Sequence, residues 1–230
     1  MTKMEENHII HTYSKKRIIY QEFDSELQNV SFAVVEFTIK TGKKQWKIKK
    51  IKDTVIKYYN NDKNGTIELL NEIKILNFIN TEIQNDNLRV PEIFYYKFHK
   101  KRAHENFISR CPGKDLERWL NPYNNNNLKM SLDIIIQIAK GIQVLHHNNI
   151  AHRDIKPENI ILNIVNGQTF IYFLDFAYSK LIKNNKFIEK KKYCGTPEYV
   201  SPELACGKEY NLFANDIWAF GILIYCLFTD

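Results

Sequence analysis

Residues 152 to 159, HRDIKPEN, put five charged or titratable side chains into eight positions between two apolar runs. A further acidic residue, Asp175, follows sixteen residues later at the end of another apolar run. This spacing favours a polar site over a solvated charged turn.

The elements around this stretch must hold it in place. The run LKMSLDIIIQIAKGIQVLHHNN before it predicts a long helix, apolar on most sides and therefore central. The run NIILNIVNGQTFIYFLDF after it predicts a hairpin that turns at Asn166 and Gly167. Upstream, CPGKDLERWL predicts a short helix after a Pro-Gly turn.

The first hundred residues are rich in predicted strands. SFAVVEFTIK and QWKIKKI predict a hairpin around TGKK, and RVPEIFYYKFHKKRAHENFISRC predicts two more strands around a basic turn. Between them, TIELLNEIKILNFI predicts an amphipathic helix with Ile67, Leu70, Ile73 and either Leu76 or Asn77 on one face. We therefore expect two lobes that meet near residues 108 to 112.

The composition is that of a globular chain. Of 230 residues, 44% are hydrophobic and 26% charged, and the net charge of +7 is typical of a solvated Lys-rich face, with an anionic partner as the alternative. The four cysteines have no ligand spacing and indicate free thiols in a reducing compartment. The N-terminus lacks the apolar segment of a signal peptide, and the longest nearly apolar run is too short to span a membrane. We expect a soluble protein of the cytoplasm or nucleus.

The motifs continue in a fixed order beyond the first site. HRDIKPEN is followed by DFA, CGTPEYVSPE and DIWAFG. From about Leu27 to the end, this series resembles the eukaryotic protein kinase family. The resemblance implies an α+β, two-lobed fold, with a β-rich N-lobe over residues 1–108, of which 1–15 are expected to be flexible. A helical C-lobe over residues 109–230 would be incomplete after the DIWAFG helix.

The resemblance implies a role for each residue of the lower site. Asp154 would accept the proton of the substrate hydroxyl, and Lys156 would neutralise the transferring phosphate and favour Ser or Thr as acceptor. Asn159 and Asp175 would bind Mg²⁺. The remaining implied residues are Phe176, Ala177, Thr196 and Glu203 in the activation segment, and Arg153 and Asp216 as structural supports, while His152 is expected to be a structural hydrogen-bonding group.

The resemblance also implies an ATP site in the upper lobe. WKIKKI resembles the family's V-A-I-K strand, which makes Lys49 the phosphate-anchoring lysine, with Lys50 as the alternative. Glu72 would be its partner on the helix, with Glu68 as the rival. The remaining implied contacts are Leu27 and Val35 around the nucleotide, Ile108 behind the adenine, and the backbone of Ser109 to Cys111 as the hinge.

The sequence departs from the family pattern at three places. The three glycines of the nucleotide loop correspond to Gln28, Val30 and Ala33, which predicts weaker contact with phosphate. Ala177 replaces the glycine after Asp-Phe, which predicts fewer accessible conformations. The family's later helices, including an Arg that pairs with the equivalent of Glu203, are absent, which predicts a truncated domain of low stability.

The sequence thus predicts an ATP- and Mg²⁺-dependent protein Ser/Thr kinase, similar to the basophilic AGC and calmodulin-dependent groups. A pseudokinase or scaffold with weak nucleotide binding, and a non-functional fragment, are the alternatives. Asp115 and Glu158 predict a partial preference for basic substrates, because Cys226 stands where a third carboxylate is common. We expect no nucleic-acid partner.

The activation segment also lacks the family's usual phosphate acceptor. Lys192 occupies that position, which leaves Glu189 as a permanent acidic partner for Arg153. A solvated basic loop is the alternative interpretation of this segment.

Overall fold

The computed structural model describes residues 13–23, 30–41, 45–97, 104–109, 113–119, 128–184, 186–190 and 193–229. The chain forms two compact units, one of Met1–Leu69 with Glu92–Arg110 and the other of Leu70–Pro91 with Cys111–Asp230. The sequence-based division into residues 1–108 and 109–230 is simpler, and it stays a prediction. The α+β kinase-like fold class is confirmed.

The first unit contains a five-stranded antiparallel sheet in the order β1-β2-β3-β5-β4. Its strands are β1 (Tyr13–Phe23), β2 (Val30–Thr41), β3 (Gln45–Tyr59), β4 (Ile93–Lys97) and β5 (His104–Ser109). Valine, isoleucine and aromatic residues are frequent in these runs, in keeping with their high β-propensity. The predicted hairpin of residues 31–51 corresponds to β2 and β3.

Two boundaries in this sheet differ from the expectation. Tyr13 pairs with Ile39, so residues 13–15 belong to a strand rather than to a flexible N-terminal stretch. Strand β3 continues to Tyr59, well past the predicted end at Ile51. Its second half pairs with β5 from Thr54 onward. This long-range pairing overrides the charged residues that mark a strand end in the sequence.

Helix α1 (Lys63–Glu82) corresponds to the predicted helix and extends it at both ends. The predicted apolar face is wrong at Ile67 and Leu70, because each of these side chains is 50% exposed. Asp62 precedes it, and its carboxylate accepts the backbone N–H of Gly65 at 2.7 Å. A side chain that accepts a free N–H in the first turn is a typical N-terminal cap. The residues of α1 up to Leu69 belong to the first unit and those from Leu70 onward belong to the second, so the helix contributes to both units.

The second unit contains four more helices and seven short strands among the described residues. The helices are α2 (Leu116–Trp119), α3 (Leu128–His147), α4 (Pro202–Ala205) and α5 (Leu212–Phe228). The strands are β6 (Lys114–Asp115), β7 (Ile150–Ala151), β8 (Ile160–Val165), β9 (Gln168–Phe173), β10 (Lys180–Leu181), β11 (Ile188–Glu189) and β12 (Tyr210–Asn211). Strands β6, β8 and β9 form one sheet, and β7 pairs with β10 and β11 with β12.

Helix α3 packs against the hairpin that follows residues 152–159. Its buried apolar residues recur at helical spacing, namely Ile134, Ile138, Ile142 and Leu145, while Leu132 and Ile136 are about half exposed. A side chain at Gly141 would lie only 2.2 Å from the ring of Phe173, so glycine permits this close approach. The hairpin turns at Asn166 and Gly167, both with positive φ, as the sequence predicts.

Helix α5 carries the strongly apolar run near residue 220. Asn211 caps it by accepting the N–H groups of Phe213 and Ala214 at 2.9 and 3.1 Å. Trp218 and Tyr225 are largely exposed on it. Among the helices that the structure describes, none combines the length and apolar character needed to cross a membrane.

Candidate active site

The carboxylate of Asp154 is the centre of the site. Its Oδ1 accepts the hydroxyl of Thr196 at 2.8 Å, and its Oδ2 accepts the amide of Asn159 at 2.9 Å. The ammonium of Lys156 lies 3.9 Å from Oδ2. Asp154 is nearly buried, so these contacts hold the carboxylate in one orientation. The structure thus brings four of the predicted site residues together.

Asp216 braces the loop that carries Asp154. Its Oδ1 accepts the backbone N–H of Arg153 at 2.7 Å, and its Oδ2 accepts that of His152 at 2.8 Å. The ring of His146 is a third partner at 2.9 Å. Arg153 has a φ of 71°, which non-glycine residues rarely adopt and which costs of order 1–3 kcal/mol. Asp216 on helix α5 therefore stabilises a strained backbone beside the carboxylate of Asp154.

His152 is a structural residue, as the sequence predicts. Its Nε2 lies 3.0 Å from the carbonyl of Leu174, and a carbonyl only accepts, so Nε2 carries the proton. Its Nδ1 then accepts the N–H of Asp154 at 3.3 Å. The ring is fully buried and lies 4.8 Å from that of Phe176. Both ring nitrogens are occupied, which excludes His152 as the general base in this arrangement.

Asn159 and Asp175 fit a magnesium ion by the chemistry of their donor atoms. The amide nitrogen of Asn159 donates to the backbone and side chain of Asp154, which leaves its oxygen for a ligand role. The backbone of Asn159 accepts the N–H of Leu174 at 2.8 Å, which fixes the residue before Asp175. The described residues contain no cluster of three or more His, Cys, Asp or Glu that would form an all-protein metal cage. Mg²⁺ is typically held by one or two carboxylates together with substrate phosphates.

The segment after Asp175 is held by helix α1. The carboxylate of Glu72 accepts the N–H of Phe176 at 3.2 Å, and both residues are buried. Asp175 has a positive φ of 57°, but Ala177 does not. The alanine in place of the family glycine therefore has an ordinary backbone conformation here.

The segment after Asp175 returns to the loop of residues 152–159 at Gly195 and Thr196. Gly195 has a φ of +93°, and a side chain there would lie 2.7 Å from the carbonyl oxygen of Arg153. Glycine therefore permits the approach that brings the Thr196 hydroxyl to Asp154. Glu203 is exposed at the start of helix α4, and its predicted role stays a prediction.

A charged cluster contains Arg153 together with Lys180 on β10 and Glu189 on β11. The guanidinium of Arg153 donates to the carbonyl of Tyr178 at 3.3 Å and to the hydroxyl of Tyr210 at 2.9 Å, while its Nε is buried without a partner among the described residues. Lys180 on β10 forms an ion pair with Glu189 on β11. The direct partner of Glu189 is therefore Lys180 rather than Arg153.

The pKa values in this cluster follow from burial and charge. Burial raises the pKa of Glu189, but the hydrogen bond and charge of Lys180, with the charge of Arg153, outweigh it and lower the pKa overall. Burial raises the pKa of Tyr210 to about 12, although Arg153 opposes this shift. At neutral pH, the cluster therefore contains a charged Glu189 and a neutral Tyr210.

Residues predicted to contact the nucleotide are described only in part. Leu27 and Cys111 lie outside the described residues. In the backbone, Val35 pairs with Ile18 and Ile51, and Lys49 pairs with Phe37. Ser109 ends strand β5 opposite Thr54. Their roles stay predictions.

The connection between β1 and β2 falls at residues 24–29, outside the described residues. Val30 and Ala33, at the positions of two family glycines, belong to strand β2 and pair with Lys57 and Thr54. These two positions therefore have strand geometry rather than that of an open loop.

The residues predicted to bind basic substrates already have some partners. Asp115 accepts the N–H of Arg118 at 2.8 Å and forms an ion pair with its side chain at 3.2 Å. Glu158 lies 3.8 Å from the ammonium of Lys156 through Oε1, whereas its Oε2 is buried and has no hydrogen-bond partner in the described structure. The predicted role of Glu158 toward basic substrates stays a prediction.

Two residues of the site escaped the sequence analysis. Tyr210 binds Arg153, and Asn71 donates to the backbone after Asp175. Each contact joins residues more than 50 positions apart, so no local pattern marks them. The sequence offers one signal for the role of Asn71, namely that it is a polar residue directly before the predicted Glu72 on the same helix.

Comparison with known proteins places these observations in a family. The family model described as the protein kinase domain matches residues 29–230. A probable myosin light chain kinase from Dictyostelium discoideum is 31% identical over 204 residues, which are 88% of this chain and 54% of that protein. An inhibitor of nuclear factor kappa-B kinase subunit alpha from Xenopus laevis is 41% identical over 118 residues, 50% of this chain and 16% of that protein. The serine/threonine-protein kinase PKH2 of Candida albicans is 29% identical over 223 residues, 89% of this chain and 21% of that protein.

These matches cover only part of each relative. The chain spans about half the length of the Dictyostelium relative and about a sixth of the Xenopus one. The predicted resemblance to the basophilic groups stays a prediction.

Proposed function

The chain belongs to the protein kinase family, and on that premise we propose that it transfers the γ-phosphate of ATP to Ser or Thr residues of protein substrates. The observation that carries this proposal is the arrangement around Asp154. Its carboxylate is fixed by Thr196 and Asn159, and Lys156 lies 3.9 Å away. An oriented carboxylate beside an ammonium can accept the proton of a hydroxyl while the cation offsets the charge of the phosphoryl group.

Each residue of the lower site has a defined task in this reaction. Asp154 orients the substrate hydroxyl and takes its proton, and Lys156 stabilises negative charge next to it. Asn159 and Asp175 would hold Mg²⁺, which supplies charge neutralisation at the phosphates when bound. Asp216 keeps the loop in the conformation that aims Asp154. The presence of Lys156 favours Ser or Thr, rather than Tyr, as acceptor.

The anchor for the ATP phosphates is a choice between two lysines of strand β3. Lys49 is the assignment from the sequence, and Lys57 is the alternative that the sheet register supports. Lys57 pairs both with Val30 of β2 and with Asn106 of β5, the strand that leads to the proposed hinge, whereas Lys49 lies outside the part of β3 that pairs with β5. Substituting each lysine in turn by methionine distinguishes the two assignments, because only the substitution of the true anchor should weaken ATP binding.

Substrates with a basic residue near the acceptor fit the acidic groups at the site. The carboxylate of Glu158 supports this preference, because its side chain is 30% exposed and can attract a nearby cation. Asp115 contributes less, since Arg118 already engages it. A peptide array without enrichment of Arg or Lys near the acceptor would exclude this preference.

The setting of this activity is a reducing compartment, the cytoplasm or the nucleus. Thiols support it, since Cys206 and Cys226 form no disulfide in the described structure.

A pseudokinase is the second candidate function, and the β1–β2 hairpin is the observation that favours it. Val30 and Ala33 occupy positions where the family has glycines, and both are paired in strand β2. Side chains and strand pairing would keep backbone N–H groups from the β- and γ-phosphates. Such a protein would bind partners, and ATP weakly, without transferring phosphate.

Two measurements on the full protein distinguish these functions. Calorimetric titration with ATP, with and without MgCl₂, tests nucleotide binding. Incubation with Mg²⁺-ATP and arrays of Ser, Thr and Tyr peptides tests transfer and acceptor choice. Phosphate on Ser or Thr peptides supports the kinase, whereas ATP binding without transfer to any peptide would favour the pseudokinase.

A further inference from the structure

Two neighbouring residues of helix α1 contact the backbone directly after the proposed metal ligand Asp175. The side-chain amide of Asn71 donates to the carbonyl of Ala177 at 2.9 Å and to that of Ser179 at 2.7 Å, and lies 3.4 Å from that of Phe176. Glu72 accepts the N–H of Phe176 at 3.2 Å. The helix thus offers both donors and an acceptor to one short segment.

The segment from Phe176 to Ser179 is a turn without regular secondary structure. The N–H of Ser179 donates to the carbonyl of Phe176 at 3.1 Å, which closes the turn. Phe176, Ala177 and Ser179 are all buried. A primary amide carries two hydrogens, so the two shorter contacts use both of them. Asn71 therefore supplies a donor to each of two carbonyls in buried residues.

This turn determines where Asp175 lies. On its N-terminal side, the N–H of Leu174 is bound to the carbonyl of Asn159 at 2.8 Å. On its C-terminal side, the turn is held by Asn71 and Glu72. Asp175 lies between these two anchors with a positive φ of 57°, a conformation that needs support from its surroundings. Loss of either anchor frees the backbone that aims the carboxylate.

We propose that Asn71 is a positioning residue of the phosphoryl-transfer site, which holds the Phe176–Ser179 turn so that Asp175 can bind Mg²⁺. This inference rests on the proposed function. Asn71 acts through the backbone and contacts neither the metal nor the nucleotide. Residues that orient a metal ligand typically contribute about 10–100-fold to metal affinity.

The test removes the hydrogen-bond donors of the Asn71 side chain in two graded variants. Asn71→Asp is isosteric but directs carboxylate oxygens at three carbonyl oxygens, and Asn71→Ser, a milder variant, retains one donor. Asn80→Asp is the matched control, because Asn80 lies on the same helix and does not contact the turn. Its amide donates to one carbonyl, that of Pro91, at a distance of 3.1 Å. Two quantities are measured in the full protein: amide hydrogen exchange at Phe176 and Ser179, and ATP binding across a MgCl₂ titration.

In Asn71→Asp, we expect faster exchange at both amides and a Mg²⁺ requirement for ATP binding raised about 10–100-fold. Asn71→Ser should fall between this variant and the wild type, and Asn80→Asp should match the wild type in both measurements. Unchanged exchange, or faster exchange with an unchanged Mg²⁺ requirement, would overturn the role of Asn71 alone. Wild-type protein without any Mg²⁺-dependent ATP binding would overturn the proposed function, and the metal-positioning role with it.

Discussion

Replacing Asp216 tests how far the catalytic loop depends on one buried carboxylate. Asp216 is 1% exposed and accepts two backbone N–H groups, those of His152 and Arg153, at 2.8 and 2.7 Å. In Asp216→Ala, both groups lose their acceptor in a buried environment. Each unsatisfied group costs about 1–3 kcal/mol, so we expect a loss of about 2–6 kcal/mol. Domains of this kind are stable by about 5–15 kcal/mol, so this variant should be close to unfolding.

Asp216→Asn separates the effect on activity from that on stability. Asparagine keeps one oxygen but turns an NH₂ group toward the second N–H, so one bond is lost and the destabilisation should be about 1–3 kcal/mol. Because Arg153 has a positive φ, loss of its N–H bond also favours relaxation of the backbone next to Asp154. We therefore expect kcat to fall while the protein still folds.

Asn215→Ala is the matched control on the same helix. Asn215 is also buried, and its oxygen accepts one backbone N–H, that of Ser201, at 3.0 Å. Its removal should destabilise the protein by a similar 1–3 kcal/mol but reduce kcat less. Urea unfolding followed by tryptophan fluorescence gives the free energies, and peptide phosphorylation gives kcat. An Asp216→Asn variant with wild-type kcat, or with less than half the destabilisation of Asn215→Ala, would refute the bracing role.

Three further predictions use other contacts of the same unit. Gly195→Ala should lose at least about 1–2 kcal/mol of stability in urea unfolding, and much of its activity, because of its positive φ and its approach to Arg153; a neutral effect would contradict the observed backbone. Gly141→Ala should lower the free energy of unfolding by about 1–3 kcal/mol, because the new methyl group clashes with Phe173. Gly221→Ala should raise it by up to about 1 kcal/mol, because its methyl group meets open space in helix α5. Equal effects of the two substitutions would be evidence against this packing. Because the pKa of Glu189 is lowered on folding, its pair with the partly exposed Lys180 should stabilise the protein by about 0–1 kcal/mol. This effect should be constant above the unfolded-state pKa of Glu and be lost as the pH falls through the lowered pKa. Unfolding of wild type and Glu189→Gln across pH checks this, and a difference that grows on acidification would have the wrong sign.

Local signals in the sequence predicted a large part of the fold. Helices α1 and α3 follow from apolar residues at helical spacing, and the β8–β9 hairpin follows from Asn166 and Gly167, which adopt the required positive φ readily. The order of motifs identified the family. These features depend on neighbouring residues, or on a pattern shared with many other chains.

Contacts between distant positions could not be predicted in this way. The extension of β3 to Tyr59 depends on pairing with β5, more than 40 residues away. The ion pair of Glu189 with Lys180 requires β11 and β10 to be held by different partner strands, β12 and β7. Asn71 reaches a turn more than 100 residues away. Such contacts are products of the packed structure.

The central claim is that Asp154 serves a reaction that moves phosphate from ATP to a hydroxyl. The most direct measurement is the transfer of ³²P from [γ-³²P]ATP to Ser and Thr peptides by the full protein, compared between wild type and Asp154→Asn, with ATP affinity measured for both. We predict Mg²⁺-dependent transfer by the wild type and a loss of about 10²–10⁴-fold in the variant, with ATP affinity retained. No transfer by the wild type, or equal transfer by both proteins, would contradict the account.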